Sequence, residues 1–227
     1  MPKIQSKKEV VLNEVEAKNV LKKAGIPVIE ARLAKTKKEA IAISKEVGFP
    51  VVLKIISPDI IHKSDAGGVK LGLESVSKVG SAFSEMMASI KKNIPGAGIE
   101  GVSIQKMATS GVELIIGMNK DLQFGPVIMF GLGGILVEVL KDVSFRLVPV
   151  SKLDAAEMVS EIKGHALLEG YRGQKPVDIA SLENLIVKVS EFIEKNPDIE
   201  ELDLNPLFAD GKDIVAADAR IVLEADG

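Results

Sequence analysis

A chain of 227 residues, 46% hydrophobic, can form one large domain or two small ones, and 4% aromatic content with no Trp leaves the core to aliphatic side chains. Its 29 basic and 32 acidic residues leave a formal net charge of -3, so no general attraction to nucleic acid or an anionic membrane is expected. With no cysteine, disulfides, thiolate zinc sites and thiol nucleophiles are excluded, and with two histidines a multi-histidine metal centre is not expected.

The N-terminal stretch Met1-Pro2-Lys3-Ile4-Gln5-Ser6 lacks the apolar segment of a secretory signal, and no apolar run nears the roughly 20 residues that span a bilayer. A cytoplasmic protein is expected. Leu12, Val15, Ala17, Val20, Leu21 and Ala24 share a helical face that Gly25 ends, and Ile26-Pro27-Val28 reads as a short extended segment. A second helix opens at Thr36 with Glu39 in capping-box spacing and stops at Gly48. Residues 51–56 form a near-continuous apolar run, hence a buried strand, followed by a polar loop over 57–68 and a return strand over 69–73. Ser77 is the expected cap of a helix carrying Val79, Ala82, Phe83, Met86 and Ile90. Strands follow at 102–107, 112–118, 127–130 and 145–150, the last two separated by a Gly-rich turn. Helices are expected from Ser151 to Ile162 and over 182–193, then a hairpin of 199–208 and 214–223 turning at Asp210-Gly211. This is an α+β pattern in two lobes with a hinge near 104–107, able to close over a ligand between them.

Lys54 interrupts the apolar run of 51–56. Either that strand has one solvated face, or the lysine is held over nucleotide phosphates that match its charge. In the loop, Gly67-Gly68 permits close backbone approach, and free N–H groups there could bind phosphate oxygens. His62 is either a solvated loop residue or a phosphorus nucleophile, since one imidazole nitrogen is neutral near pH 7. His165 at a helix end reads as a cation on the C-terminal dipole. At the hinge, exposed backbone of Gln105-Lys106-Met107 could bond an adenine edge while Met107 covers the ring. Glu113 is a strand-end charge or a ribose ligand. Phe130-Gly131-Leu132-Gly133-Gly134 lacks the Gly-Lys-Ser/Thr of a Walker loop, which is therefore rejected. Strand alternation puts Asp203 and Asn205 on one face, with Asp218 in the strand across the hairpin. These are either edge residues facing water or hard oxygen ligands suited to Mg2+ that also holds nucleotide phosphates.

Residues 51–54, the Gln105/Glu113 pair and residues 202–207 with Asp218 resemble an ATP-grasp domain. More narrowly, His62-Lys63-Ser64-Asp65-Ala66-Gly67-Gly68-Val69 and Leu168-Glu169-Gly170-Tyr171-Arg172-Gly173 resemble the β subunit of ADP-forming acetyl-CoA synthetase. That family of acetate–CoA ligases is largely archaeal and related to succinyl-CoA synthetase. The resemblance runs from Leu12 to Leu223. It implies an α+β ATP-grasp fold, two α/β lobes with the nucleotide cleft between them. Residues 25–103 would be the first lobe with the phosphohistidine loop, and 1–24 plus 104–227 the second with adenine, Mg2+ and phosphate contacts.

It further implies a reversible reaction in which acyl-CoA, phosphate and ADP give acid, CoA and ATP. The implied partner is a CoA-binding α subunit in an α2β2 heterotetramer, whose own histidine first takes the phosphoryl group. His62 matches the second, relaying histidine and Asp203 the acidic residue that orients it. Lys54 matches the phosphate-binding lysine, Gln105 and Met107 the adenine contacts, and Glu113 the ribose-side carboxylate. Asn205 and Asp218 match the Mg2+ ligands, while Arg146 and Arg172 are left as phosphate or partner contacts. Ser57-Pro58 and Gly67-Gly68 would serve as hinges of the travelling loop. Succinyl-CoA synthetases have no relay histidine in this loop, so their mechanism does not transfer whole. Two other readings stay open: an ATP-grasp ligase that activates a carboxylate directly, and a regulatory nucleotide-binding module.

Overall fold

The computed structural model describes residues 9–60, 63–108, 111–134, 141–171 and 175–224. Contacts divide the chain into a larger unit, Met1–Leu12, Val20–Val28 and Ser110–Gly227, and a smaller one, Asn13–Asn19 and Ile29–Thr109. Three stretches differ from the expected lobes: Asn13–Asn19 and the stretch from 104 through Thr109 fall in the smaller unit, and residues 25–28 fall in the larger. Among the described residues the first element is a strand, β1 (Glu9–Leu12), so Leu12 precedes the helix it was expected to join; α1 (Glu14–Lys23) follows.

The smaller unit contains β2 (Ala31–Ala34), α2 (Lys37–Val47), β3 (Val51–Ile56), β4 (Val69–Leu73), α3 (Val76–Asn93) and β5 (Gly101–Lys106). Its antiparallel sheet runs β2-β5-β3-β4. The Thr36 hydroxyl caps α2 by accepting from the Glu39 N–H, as the spacing predicts. The cap of α3 is Ser75, not Ser77, accepting from the Lys78 N–H at 3.3 Å, because Val76 already begins the apolar stripe. Val51, Leu53, Ile55, Val102 and Ile104 meet Val79, Phe83, Met86 and Ile90 of α3 in one aliphatic core. Of the expected hinge over 104–107, Ile104 and Gln105 are paired with β2 on one side and β3 on the other, Lys106 pairs with β3, and Met107 lies just beyond the strand.

The larger unit contains β6 (Val112–Asp121), β7 (Gly125–Leu132), β8 (Val143–Leu147), α4 (Lys152–Glu161), a 3-10 turn (Lys163–Leu167), α5 (Ile179–Lys195), β9 (Ile199–Asp210), β10 (Asp213–Ala216) and β11 (Arg220–Glu224). Among the described residues its sheet runs β1-β11-β9-β6-β7-β8, with β10 also on β9. The expected final hairpin is thus three strands, since the return strand breaks at Ala217-Asp218-Ala219 and β10 and β11 pair with different halves of β9. Ser151 and Asp154 close a capping box on α4. The stripe Leu182, Leu185, Ile186, Val189, Phe192 and Ile193 is the buried face of α5. No helix among the described residues is long and apolar enough to cross a membrane.

Candidate functional site

The alternation of β3 that sends Val51, Leu53 and Ile55 into the core turns Val52, Lys54 and Ile56 to the opposite sheet face. There Ser103 and Gln105 of β5 stand beside Lys54 and Val52. This face is not solvated: Lys54 is 6% and Gln105 2% exposed. A buried ammonium needs a counter-charge, and Glu14 from the first turn of α1 supplies it. Lys54 and Lys18 each donate from Nζ to Glu14 Oε1 at 2.8 Å. Ser103 Oγ donates to Glu14 Oε2 at 3.2 Å, and Lys63 Nζ reaches the same oxygen at 3.4 Å. Lys18 also donates to the Gln105 amide oxygen. Burial alone would push the Glu14 carboxyl up, but Lys54, Lys18 and Lys63 together hold it well below the usual carboxylate range.

The expected adenine contact through exposed Gln105 backbone is corrected, because that backbone lies in ladders with Ala31 and Val52. Met107, half-buried just beyond β5, gives its N–H to Pro50 O at 3.1 Å. The glycine pair also differs from expectation. Gly67 and Gly68 donate to Ser64 O and Lys63 O at 3.0 and 2.7 Å, and Ile55 N–H donates to Gly68 O at 2.7 Å. Their N–H groups are committed to a turn stitched to β3 rather than free for phosphate oxygens. His62 and Arg172 lie outside the described residues.

In the larger unit, β9 alternates half-buried Glu201, Asp203 and Asn205 with buried Leu202 and Leu204. Asp203 stands between Gly117 of β6 and Arg220 of β11, where glycine leaves the carboxylate uncovered. Burial pushes the Asp203 carboxyl up to about 6, helped by the charges of Glu201 and Asp218 and opposed by Arg220, whose guanidinium bonds Glu201. Asp218 sits in the break between β10 and β11 rather than within a strand, and Ala217 N–H donates to Pro206 O at 2.9 Å, which fixes that break beside Asn205. The Asp218 carboxylate accepts from the Ala219 N–H at 2.9 Å.

Asn205, Asp218 and Asp203 are hard oxygen donors in a crowded acidic patch, the kind of crowding a divalent cation relieves. Among the described residues no group of three or more His, Cys, Asp or Glu could hold a metal ion by itself. Two other expected residues lie apart from this patch. Glu113 is exposed at the other end of β6, opposite Phe208, with its carboxylate against Gly134. Arg146 is committed elsewhere: its guanidinium bonds Glu157 at 3.1 Å and also Glu161, both on α4, and these carboxylates raise its already high pKa.

Sequence reasoning missed Glu14, Lys18 and Lys63. The Glu14/Lys18 spacing of four does signal an ion pair, but such pairs ordinarily occupy a solvated helix face. Nothing local reports that this one is buried.

The chain matches the ATP-grasp domain family over residues 3–223. It is 50% identical to the β subunit of acetate–CoA ligase [ADP-forming] I of Pyrococcus furiosus, covering 93% of this chain and 91% of that one. The chain belongs to this ATP-grasp family of ADP-forming acetate–CoA ligase β subunits. An acetyl-coenzyme A synthetase of Ca. Korarchaeum cryptofilum, solved with coenzyme A and Ca-AMPCP, superposes on it with a TM-score of 0.91 at 49% identity, over 94% of this chain and 93% of that one. Another structure of that enzyme, with coenzyme A and Mg-AMPPCP, has its phosphohistidine segment pointing towards the nucleotide binding site. It superposes with a TM-score of 0.82 at 46% identity, covering 94% and 92% of the two chains. Within this ATP-grasp chain, the α+β architecture expected from the sequence is the one found.

Proposed function

We propose that this chain is the nucleotide-binding β subunit of an ADP-forming acyl-CoA synthetase acting on acetyl-CoA or a similar thioester. His62 accepts a phosphoryl group from a phosphohistidine of a CoA-binding α subunit and passes it to ADP. In that last step a terminal ADP oxygen forms the new P–O bond as the P–N bond breaks, its electron pair returning to the imidazole. The observation that carries this reading is Lys54, an ammonium built into a buried strand and held on Glu14. Such a fixed cation suits a loose, highly charged phosphoryl transition state, where catalysis is positioning and charge compensation.

Asn205 and Asp218 would hold Mg2+, which when bound neutralises phosphate charge. Asp203 orients the phosphohistidine, Met107 covers the adenine and Glu113 meets the ribose. The partner is a CoA-binding α subunit in an α2β2 assembly. Mixing the chain with that subunit, γ-labelled ATP and Mg2+ should place acid-labile, base-stable label on this polypeptide, and none on a His62→Ala chain. Turnover retained by His62→Ala would instead favour direct activation of a carboxylate, and nucleotide binding without any label a regulatory module.

A further inference from the structure

The two oxygens of the Glu14 carboxylate are not used alike. Oε1 takes Lys18 and Lys54, each at 2.8 Å and each with a side chain no more than 8% exposed. Oε2 takes Ser103 Oγ at 3.2 Å and Lys63 Nζ at 3.4 Å, and the Lys63 side chain is 23% exposed. The Lys63 contact is long and wetter, so exchanging it costs little. Separating Lys54 from Glu14 would strand a buried ammonium, which is strongly unfavourable. Lys63 also follows His62 directly in the chain, and the turn closed by Gly68 N–H on Lys63 O ties its backbone to β3.

We propose that Lys63 is a second phosphoryl-binding cation and that Glu14 is the positioning residue holding Lys54 and Lys63 on one carboxylate. This rests on the phosphoryl-relay reading above. Lys54 stays on Oε1 as a fixed charge towards the phosphates of ADP. Lys63 exchanges Oε2 for an oxygen of the transferred phosphoryl group, whose three oxygens share the charge in the transition state. When Lys63 leaves, Ser103 still donates to Oε2, so the carboxylate keeps a partner on each oxygen and Lys54 keeps its orientation.

The test uses the full chain assembled with its CoA-binding α subunit, comparing unaltered, Lys63→Met and Lys63→Arg forms. Two quantities are read: the rate of labelling from γ-labelled ATP with Mg2+, and the dissociation constant for ADP. Lys63→Met should slow labelling about tenfold, as expected for loss of one charge-assisted hydrogen bond. Its ADP affinity should stay within about twofold, since ADP lacks the transferred group, and Lys63→Arg should recover most of the rate. Glu14→Gln should weaken both labelling and ADP binding, because Lys54 is displaced as well. Unchanged labelling in Lys63→Met, or an ADP affinity that falls as far as the labelling rate, overturns the proposal. Should Glu14→Gln fail to fold, the Lys63 pair decides alone. An unaltered chain that takes no label overturns the relay reading itself, an outcome distinct from a labelled chain indifferent to Lys63.

Discussion

Asp203 is half-buried and Glu14 buried, and burial raises both carboxyls, yet the two shift in opposite directions because their charged neighbours differ. Asp203 has Glu201 and Asp218 nearby and titrates at about 6, whereas an unfolded aspartate titrates near ~3.9. In the metal-free chain the folded state therefore holds the extra proton between those values. Stability from this group falls as pH rises through that window, and the full penalty is present above about 6. Its size is about 1–2 kcal/mol once partial exposure is allowed for. Asp203→Asn should accordingly gain stability relative to the unaltered chain by about that amount between pH ~4.5 and ~7.5, measured as denaturant midpoints in chelator; a pH-independent difference would contradict the raised pKa. Glu14 has cations instead, and its carboxyl is held below the usual range. Its contribution is complete above the ordinary carboxylate pKa and lost as acid protonates it in the folded state. Glu14→Gln should cost about 3–5 kcal/mol at neutral pH, since it leaves buried ammonium groups without their counter-charge. The deficit should narrow on strong acidification, and a neutral-pH loss under about 1 kcal/mol would place the pair among weak surface bridges.

At the level of elements, the strands and helices with a long apolar period were legible, and the breaks in pattern were not. The six-residue run of β3 and the stripe of α3 announce themselves because side-chain alternation and helical spacing are local properties. The division of the last hairpin into β10 and β11 depends on pairing with two halves of β9, which no window of sequence reports. Lys54 was legible as an anomaly, but its partner lies 40 residues earlier on another element, so its burial was not. The Gly67-Gly68 pair was read as free backbone, whereas packing against β3 is what requires it. A Cβ on Gly68 would collide with Ile55 Cγ2 and stand 3.0 Å from Lys63 O. Gly68→Ala should therefore destabilise the smaller unit by about 1–3 kcal/mol through overpacking. Because the collision reaches Lys63, hydrogen exchange should quicken at Gly68 and Ile55, whose N–H groups close this turn. Gly72, whose added Cβ would meet nothing within 4 Å, marks the contrast: at φ +64 its substitution is strained by backbone alone.

For the whole molecule, the near-balanced charge and missing cysteines say what is not expected of the chain rather than what it binds, and ligand binding is where the chain as a unit can be tested. A nucleotide that binds only the folded chain raises its unfolding free energy by about 2.7 kcal/mol at 100 times its dissociation constant. For a chain of 227 residues that corresponds to a rise in Tm of about 5–10 °C. The roles proposed above divide this shift into two parts. Lys54 acts on phosphate charge whether or not a metal is present, so ADP in chelator should retain a smaller shift that Lys54→Met removes. Asn205 and Asp218 act through Mg2+, so their combined replacement by Ala should abolish the Mg2+-dependent increment and leave the chelator shift in place. The increment should also grow with pH, because a cation beside Asp203 competes with the proton that this carboxylate holds up to about 6. Scanning calorimetry at pH ~5 and ~7.5, with ADP and with or without Mg2+, separates these contributions. An increment indifferent to both Asn205 and Asp218, or larger at the lower pH, would place the metal away from this acidic patch.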